Sequence, residues 1–244
     1  MLSLLPDDLV FNLLENWLEV TLLARLDSAY CVRSLRKDFL NQLDTRVVSC
    51  ASITNAPLIN WMMKRNICTS KIIQNKVRVA PATDSQLKFI QRLANEVRCV
   101  KLATMCYSEA ILKVIIHDYS KLNVFRCGLI SPADLSEVLL RNPNLQNLDC
   151  RMRLGWTDSL RTCSLPHLTS LRVTVDDECD ARVMPALIEA TRNLQRLTAE
   201  GGFDSLPDTA HFKACCSGIR SFNLRADHNL HASVVNTVKY CPNI

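Results

Sequence analysis

One arrangement of apolar residues returns along the second half of the chain: apolar-x-x-apolar-x-apolar. It stands at Leu145-x-x-Leu148-x-Cys150, Leu168-x-x-Leu171-x-Val173, Leu194-x-x-Leu197-x-Ala199 and Ile219-x-x-Phe222-x-Leu224. Successive first positions are 23, 26 and 25 residues apart, and another 25 reaches Ile244. The alternation predicts a short strand with one buried face in each copy. A fixed period in the twenties predicts a solenoid, in which each unit buries its apolar face only against its neighbours. Two earlier copies extend the frame, Tyr119-x-x-Leu122-x-Val124 and Val97-x-x-Val100-x-Leu102. The segment 45–95 fits the period only loosely.

Between these strands the apolar spacing changes to threes and fours, which predicts returning helices. Ser131-Pro132-Ala133-Asp134 opens one of them: Ser as N-cap, Pro at the first helical position, an acid three residues after the cap. Leu135, Val138 and Leu139 supply its inward stripe, and Asn142-Pro143 ends it. Residues 181–190 and 232–240 repeat the scheme. Residues 57–65, 84–95 and 108–117 also have helical spacing, the second with Leu87, Ile90, Leu93 and Ala94 on one face. Short strands are expected at 47–50 and 77–79. The inserts 151–167 and 200–218 have the pattern of loops with a short helical turn.

The first 45 residues lack the repeat. Their leucines, from Leu4 and Leu5 to Leu43, are spaced mainly by threes and fours, which predicts three helices near 6–15, 20–30 and 33–43. The expected class is therefore α/β: a small all-α module at 1–45, then a solenoid over 46–244, clearest from 97. Its parallel strands would line the concave side and its helices the convex side.

Composition narrows the setting. The chain has 244 residues, 48% of them hydrophobic, enough for a large core and too many for general disorder. Its net charge of +5 is too weak to argue for nucleic acid. The 12 cysteines are spread from Cys31 to Cys241 without a C-x-x-C pair. The first ten residues lack the basic start of a secretory signal and carry Asp7 and Asp8. These features suit a reduced intracellular chain, cytoplasmic or nuclear, using cysteines as small core hydrophobes. No apolar run approaches the length of about 20 residues that a membrane span needs.

Side chains between the apolar strand positions point to the open face of such a sheet. Counted along the frame from Val97, the charged members of that face are Lys101, Lys121, Arg151, Arg172, Arg196 and Arg225, against Asp149 and Glu200. This six-to-two bias predicts a basic substrate-binding face that prefers an acidic or phosphorylated protein segment. No Gly-rich phosphate loop, nucleophile elbow or paired-carboxylate motif occurs. The expectation is a binding protein with no catalytic residues, no cofactor and no metal. His228-x-x-His231 lacks cysteines at finger spacing, and Cys215-Cys216 suits a packed turn better than a bridge. Trp61, Trp156, Met62 and Met63 suit packing or loop anchoring.

Two family resemblances follow from these residues. Asn142-Pro143-Asn144-Leu145, Leu165-Pro166-His167-Leu168 and Cys241-Pro242-Asn243-Ile244 precede strand positions of the frame. With the period, they resemble cysteine-containing leucine-rich repeats over 97–244, and more loosely over 47–244. Leu5-Pro6-Asp7-Asp8-Leu9-Val10, followed by Leu13, Leu14, Trp17 and Leu18, resembles the opening of an F-box. Asp8 stands for that family's usual Glu, and Leu35 for its closing Trp. The combination implies a substrate receptor of a Skp–cullin–F-box ubiquitin ligase. It also implies an adaptor contact through Leu5, Pro6, Leu9, Leu13, Trp17 and Leu18. The alternative is a leucine-rich-repeat scaffold whose N-terminal helices only cap the solenoid. The frame shows no polar closing unit before Ile244, so either a longer gene product or a frayed last turn is expected.

Overall fold

A computed structural model describes residues 20–29, 36–37, 39–40, 47–48, 51–52, 56–69, 71–74, 82–102, 108–152, 158–175, 183–200 and 210–225. The chain divides into two compact units, one of Met1–Leu102 with Cys106–Asp118, the other of Ala103–Met105 with Tyr119–Ile244. The helix expected at 6–15, the strand at 77–79, the helix at 232–240 and the boundary at 45/46 fall outside the described residues. So do His228, His231 and Trp156.

In the first unit, helix α1 covers Val20–Ala29, and residues 36, 37, 39 and 40 are helical. Strands β1 (Val47–Val48) and β2 (Ala51–Ser52) precede helix α2 (Ala56–Lys64). Strands β3 (Cys68–Thr69) and β4 (Lys71–Gln74) follow, then α3 (Asp84–Arg92), β5 (Cys99–Leu102) and α4 (Glu109–Asp118). The strands pair parallel, β1 with β3 and β2 with β4 with β5. Local chemistry sets the helix ends. Thr83 and Gln86 form a capping box at the start of α3. After α2, Asn66 takes a left-handed φ of 52°, a conformation Asn tolerates better than most residues. Arg92 then donates to the carbonyls of Met63 and Ile67, at 3.3 and 3.0 Å, near the same helix end, where helical carbonyls lack partners of their own.

The second unit continues the scheme. Its elements are β6 (Val124–Ile130), α5 (Pro132–Arg141), β7 (Asn147–Met152), a 3-10 turn at Asp158–Thr162 and β8 (Ser170–Val175). Then come α6 (Val183–Glu189), β9 (Arg196–Glu200), α7 (Ala210–Cys216) and β10 (Ser221–Arg225). The five strands pair in sequence order, all parallel. The same step joins each strand to the next. The carbonyl of Asn123 accepts from the backbone N–H of Gln146 and Asn147, that of Gln146 from Thr169 and Ser170, that of Thr169 from Gln195 and Arg196, and that of Gln195 from Arg220 and Ser221, all at 2.8–3.1 Å. Each turn of the chain thus satisfies the backbone of its neighbour. The cap expected from Ser131 is present: its hydroxyl accepts from the Asp134 N–H at 3.1 Å, with Pro132 leading the helix.

The core follows the repeat frame. Leu145, Leu148 and Cys150 are buried, as are Leu168, Leu171 and Val173, and Leu194, Leu197 and Ala199. A further buried column stands three residues before each copy: Tyr119, Asn142, Leu165, Thr191 and Cys216. This column corrects one copy of the frame. Val124 pairs with Asn147 and Phe125 with Leu148, so the copy there is Leu122-x-x-Phe125-x-Cys127 and not Tyr119-x-x-Leu122-x-Val124. Tyr119 and Leu122 are both apolar and three residues apart, and either could open the motif. The register also reaches further back than the apolar pattern did. Val48 pairs with Thr69, Ala51 with Ile72, and Ile72 with Val100, which places Val48 and Thr69 at the first position of two earlier copies.

Candidate recognition surface

Among the described residues, one face of the second unit's sheet is left open. Along β7, Leu148, Cys150 and Met152 are buried while Asn147, Asp149 and Arg151 stand half-exposed between them. Residues 170–174 of β8, β9 and residues 124–127 of β6 alternate in the same phase, so pairing aligns their outward residues in rows across the sheet. One row is Val124, Asn147, Ser170, Arg196 and Ser221; the next is Arg126, Asp149, Arg172, Thr198 and Asn223. On β7 to β10 a third row holds Arg151, Thr174, Glu200 and Arg225. None of these side chains is aromatic, so the face offers charge and hydrogen bonds in place of apolar anchors.

Four of the six expected basic residues, Arg151, Arg172, Arg196 and Arg225, belong to these rows. Arg225 is placed by its backbone register alone. Lys101 sits at the matching outward position of β5 in the first unit, opposite Ile73. Lys121 does not belong to the face: it precedes Leu122, before β6 begins, and is simply exposed. The three-residue frame error put it there, and the same error hid Arg126, which the corrected frame places on the face. The six adaptor-binding candidates, Leu5, Pro6, Leu9, Leu13, Trp17 and Leu18, lie outside the described residues.

Charges on the face are partly matched. Arg126 approaches Asp149 and Arg172 approaches Glu200, each at 3.6 Å. Thr174 donates from its hydroxyl to Glu200 at 3.2 Å. Both pairs join neighbouring strands, and both arginines are about half exposed. Exposed pairs of this kind contribute about 0–1 kcal/mol. They shape the field of the face more than they hold the fold.

A second polar cluster lies in the first unit. Asp27 of α1 is 1% exposed. It accepts from Arg36 Nε at 2.7 Å and from Trp61 Nε1 at 2.8 Å, and Arg65 stands 3.4 Å away. Burial alone would raise its carboxyl pKa. The Arg36 and Trp61 hydrogen bonds and the two guanidinium charges outweigh that and hold it below the ordinary 3.8. The cluster ties the N-terminal helical segment to α2. Trp61 therefore acts through its N–H as well as its ring, a role no periodicity reveals.

The described cysteines form no disulfide among themselves. Cys127 and Cys150 are buried in the strands, and Cys215 and Cys216 are buried at the end of α7. Burial pushes the Cys150 thiol well up and that of Cys163 up to about 11, which removes nucleophilic character. Among the described residues no group of His, Cys, Asp and Glu is placed to hold a metal ion. None of their helices is long and apolar enough to cross a membrane. No protein-family model matches the chain, and no curated protein matches its sequence. What the arrangement can do chemically is bind a charged, hydrogen-bonding partner along an open parallel sheet.

Proposed function

We propose that this chain is a protein-recognition receptor of the leucine-rich-repeat type, serving as the substrate-binding subunit of a Skp–cullin–F-box ubiquitin ligase. The observation that carries the recognition role is the open sheet face, whose outward side chains are aligned in rows by a parallel register of 23–26 residues. A polar row of this length suits an extended protein segment. The ligase role rests on the F-box resemblance of Leu5, Pro6, Leu9, Leu13, Trp17 and Leu18. An apolar helical surface of that kind docks by burying aliphatic anchors in a partner's groove, each worth roughly 1.5–3 kcal/mol. A receptor of this class performs no chemistry. It raises the effective concentration of substrate lysines beside the conjugating enzyme.

The test is a pull-down of purified Skp-type adaptor by the full chain, beside a Leu5→Asp, Leu9→Asp variant with an unchanged circular dichroism spectrum. Capture by the parent and its loss in the variant support the receptor. No capture by a folded parent removes the ligase role. A second reading, in which the N-terminal helices only cap the repeats, is favoured by the buried Asp27 cluster, which bonds α1 to α2. The same pull-down separates the two.

A further inference from the structure

Strands β8 and β9 bring four outward residues into a square. Ser170 lies opposite Arg196, and Arg172 lies opposite Thr198. The arginines occupy one diagonal and the hydroxyls the other. Neighbouring strands stand about 4.8 Å apart and a two-residue step covers about 6.6 Å, so the arginine Cα atoms are about 8 Å apart. Two guanidinium groups starting from that separation can converge on one small group. Both arginines are exposed, and Ser170 and Thr198 are half-exposed. Among the described residues, the Arg196 side chain and the two hydroxyls have no partner. Arg172 meets Glu200 at 3.6 Å through a single nitrogen, which leaves most of its donor fork open.

The square therefore offers two positive charges and two hydroxyl donors, with no carboxylate inside it. Carboxylates stand just outside: Asp149 is opposite Arg172 on β7, and Glu200 lies two residues beyond Thr198. A long polyanion crossing the sheet, such as RNA, would run onto both. A compact dianion with three acceptor oxygens would not, and it matches two arginines in charge. A single carboxylate carries half that charge.

From these features the geometry points to a phosphorylated side chain of a partner protein as the ligand of Ser170, Arg172, Arg196 and Thr198. This rests on the open face being a protein-recognition surface, and it is independent of whether the N-terminus binds an adaptor. The probes are fluorescent alanine–glycine heptapeptides with central phosphoserine, phosphothreonine, serine or glutamate, titrated by anisotropy against the purified full chain. The phosphopeptides should bind about tenfold or more tighter than the serine and glutamate forms, and inorganic phosphate should compete. Arg172→Gln and Arg196→Gln should each lose about tenfold, while Lys121→Gln, off the face, should not. Thr198→Val provides a milder variant, and circular dichroism checks that each is folded. Equal or absent binding of all four peptides overturns the proposal. So does phosphopeptide binding that survives both arginine variants, or tighter binding of a single-stranded RNA or an anionic phosphatidylserine vesicle. Failure of the adaptor pull-down alongside phosphopeptide binding would remove only the ligase role.

Discussion

Replacing Asn142 by Ala should cost the protein about 3 kcal/mol. Asn142 ends α5 and is 1% exposed. Its side-chain oxygen accepts the backbone N–H of Leu122 at 2.7 Å, and its amide nitrogen donates to the carbonyls of Tyr119 and Val138 at 3.1 and 2.8 Å. At the matching place in other copies the chain bonds to itself: Leu145, Leu168 and Ile219 donate to the carbonyls of Asn142, Leu165 and Cys216. Leu122 instead depends on a side chain from the next copy. Alanine leaves that buried N–H without its acceptor, at about 1–3 kcal/mol, and removes two amide bonds worth about 1 kcal/mol each. Val138 keeps a backbone donor, the N–H of Asn142 at 3.1 Å, which limits the damage there. Asn142→Asp should be at least as harmful near neutral pH, because it turns an oxygen toward two carbonyls and buries a charge. The assay is urea denaturation followed by circular dichroism, with hydrogen exchange read at the Leu122 amide. A cost below about 0.5 kcal/mol with that amide still protected would refute the assignment of the bond.

Two further predictions concern titrating groups. Because the folded Asp27 pKa is below its ordinary 3.8, its ionised form contributes stability above that pH, and the contribution is lost as the pH falls through the folded value. Urea midpoints of the parent and Asp27→Asn should therefore differ most near pH 6 and converge below about pH 4; a difference independent of pH would sink the idea. For Cys163, a thiol pushed from 9.0 to about 11 has a roughly hundredfold smaller thiolate fraction at pH 8. Iodoacetamide should label it at least that much more slowly in the native chain than in urea, by peptide mass spectrometry, and equal rates would contradict its burial.

The repeat was legible because its strands alternate cleanly and its helices carry local signals such as Ser131 and Pro132. Where polar residues take core positions, the pattern failed. Thr69 is fully buried at a first position of the frame, which is possible because its hydroxyl donates to the Lys71 carbonyl at 3.0 Å and accepts from the Lys71 N–H at 3.3 Å. A hydroxyl satisfied within two residues packs like an apolar group, and no hydropathy count can see that. Strand β4 was missed for a related reason, since Lys71 and Gln74 flank its two isoleucines. The Asp27 cluster joins residues 34 and 38 apart in sequence, beyond any periodic signal. The charged face was legible in sign but not in membership, because one three-residue shift exchanged Arg126 for Lys121.

The pairing of charges on that face bears on how it would bind. Of the arginines in its rows, Arg126 and Arg172 each already meet a carboxylate from the neighbouring strand. A partner must therefore displace or share those contacts, and because the arginine of each pair is about half exposed it holds its place by only about 0–1 kcal/mol. A ligand carrying one negative charge gains little from such an exchange. One carrying two, placed between Arg172 and Arg196, which has no partner among the described residues, gains contacts with both guanidinium groups and gives up at most one weak pair. Glu200 and Asp149 then act as a threshold: they lower the attraction for any passing anion while leaving a compact dianion favoured. The same arrangement would make recognition salt-sensitive, since both arginines are about half exposed and the charges lie within a Debye length of one another. On the proposed reading, selectivity would come from the spacing of opposed charges along the parallel register, not from the net charge of the face.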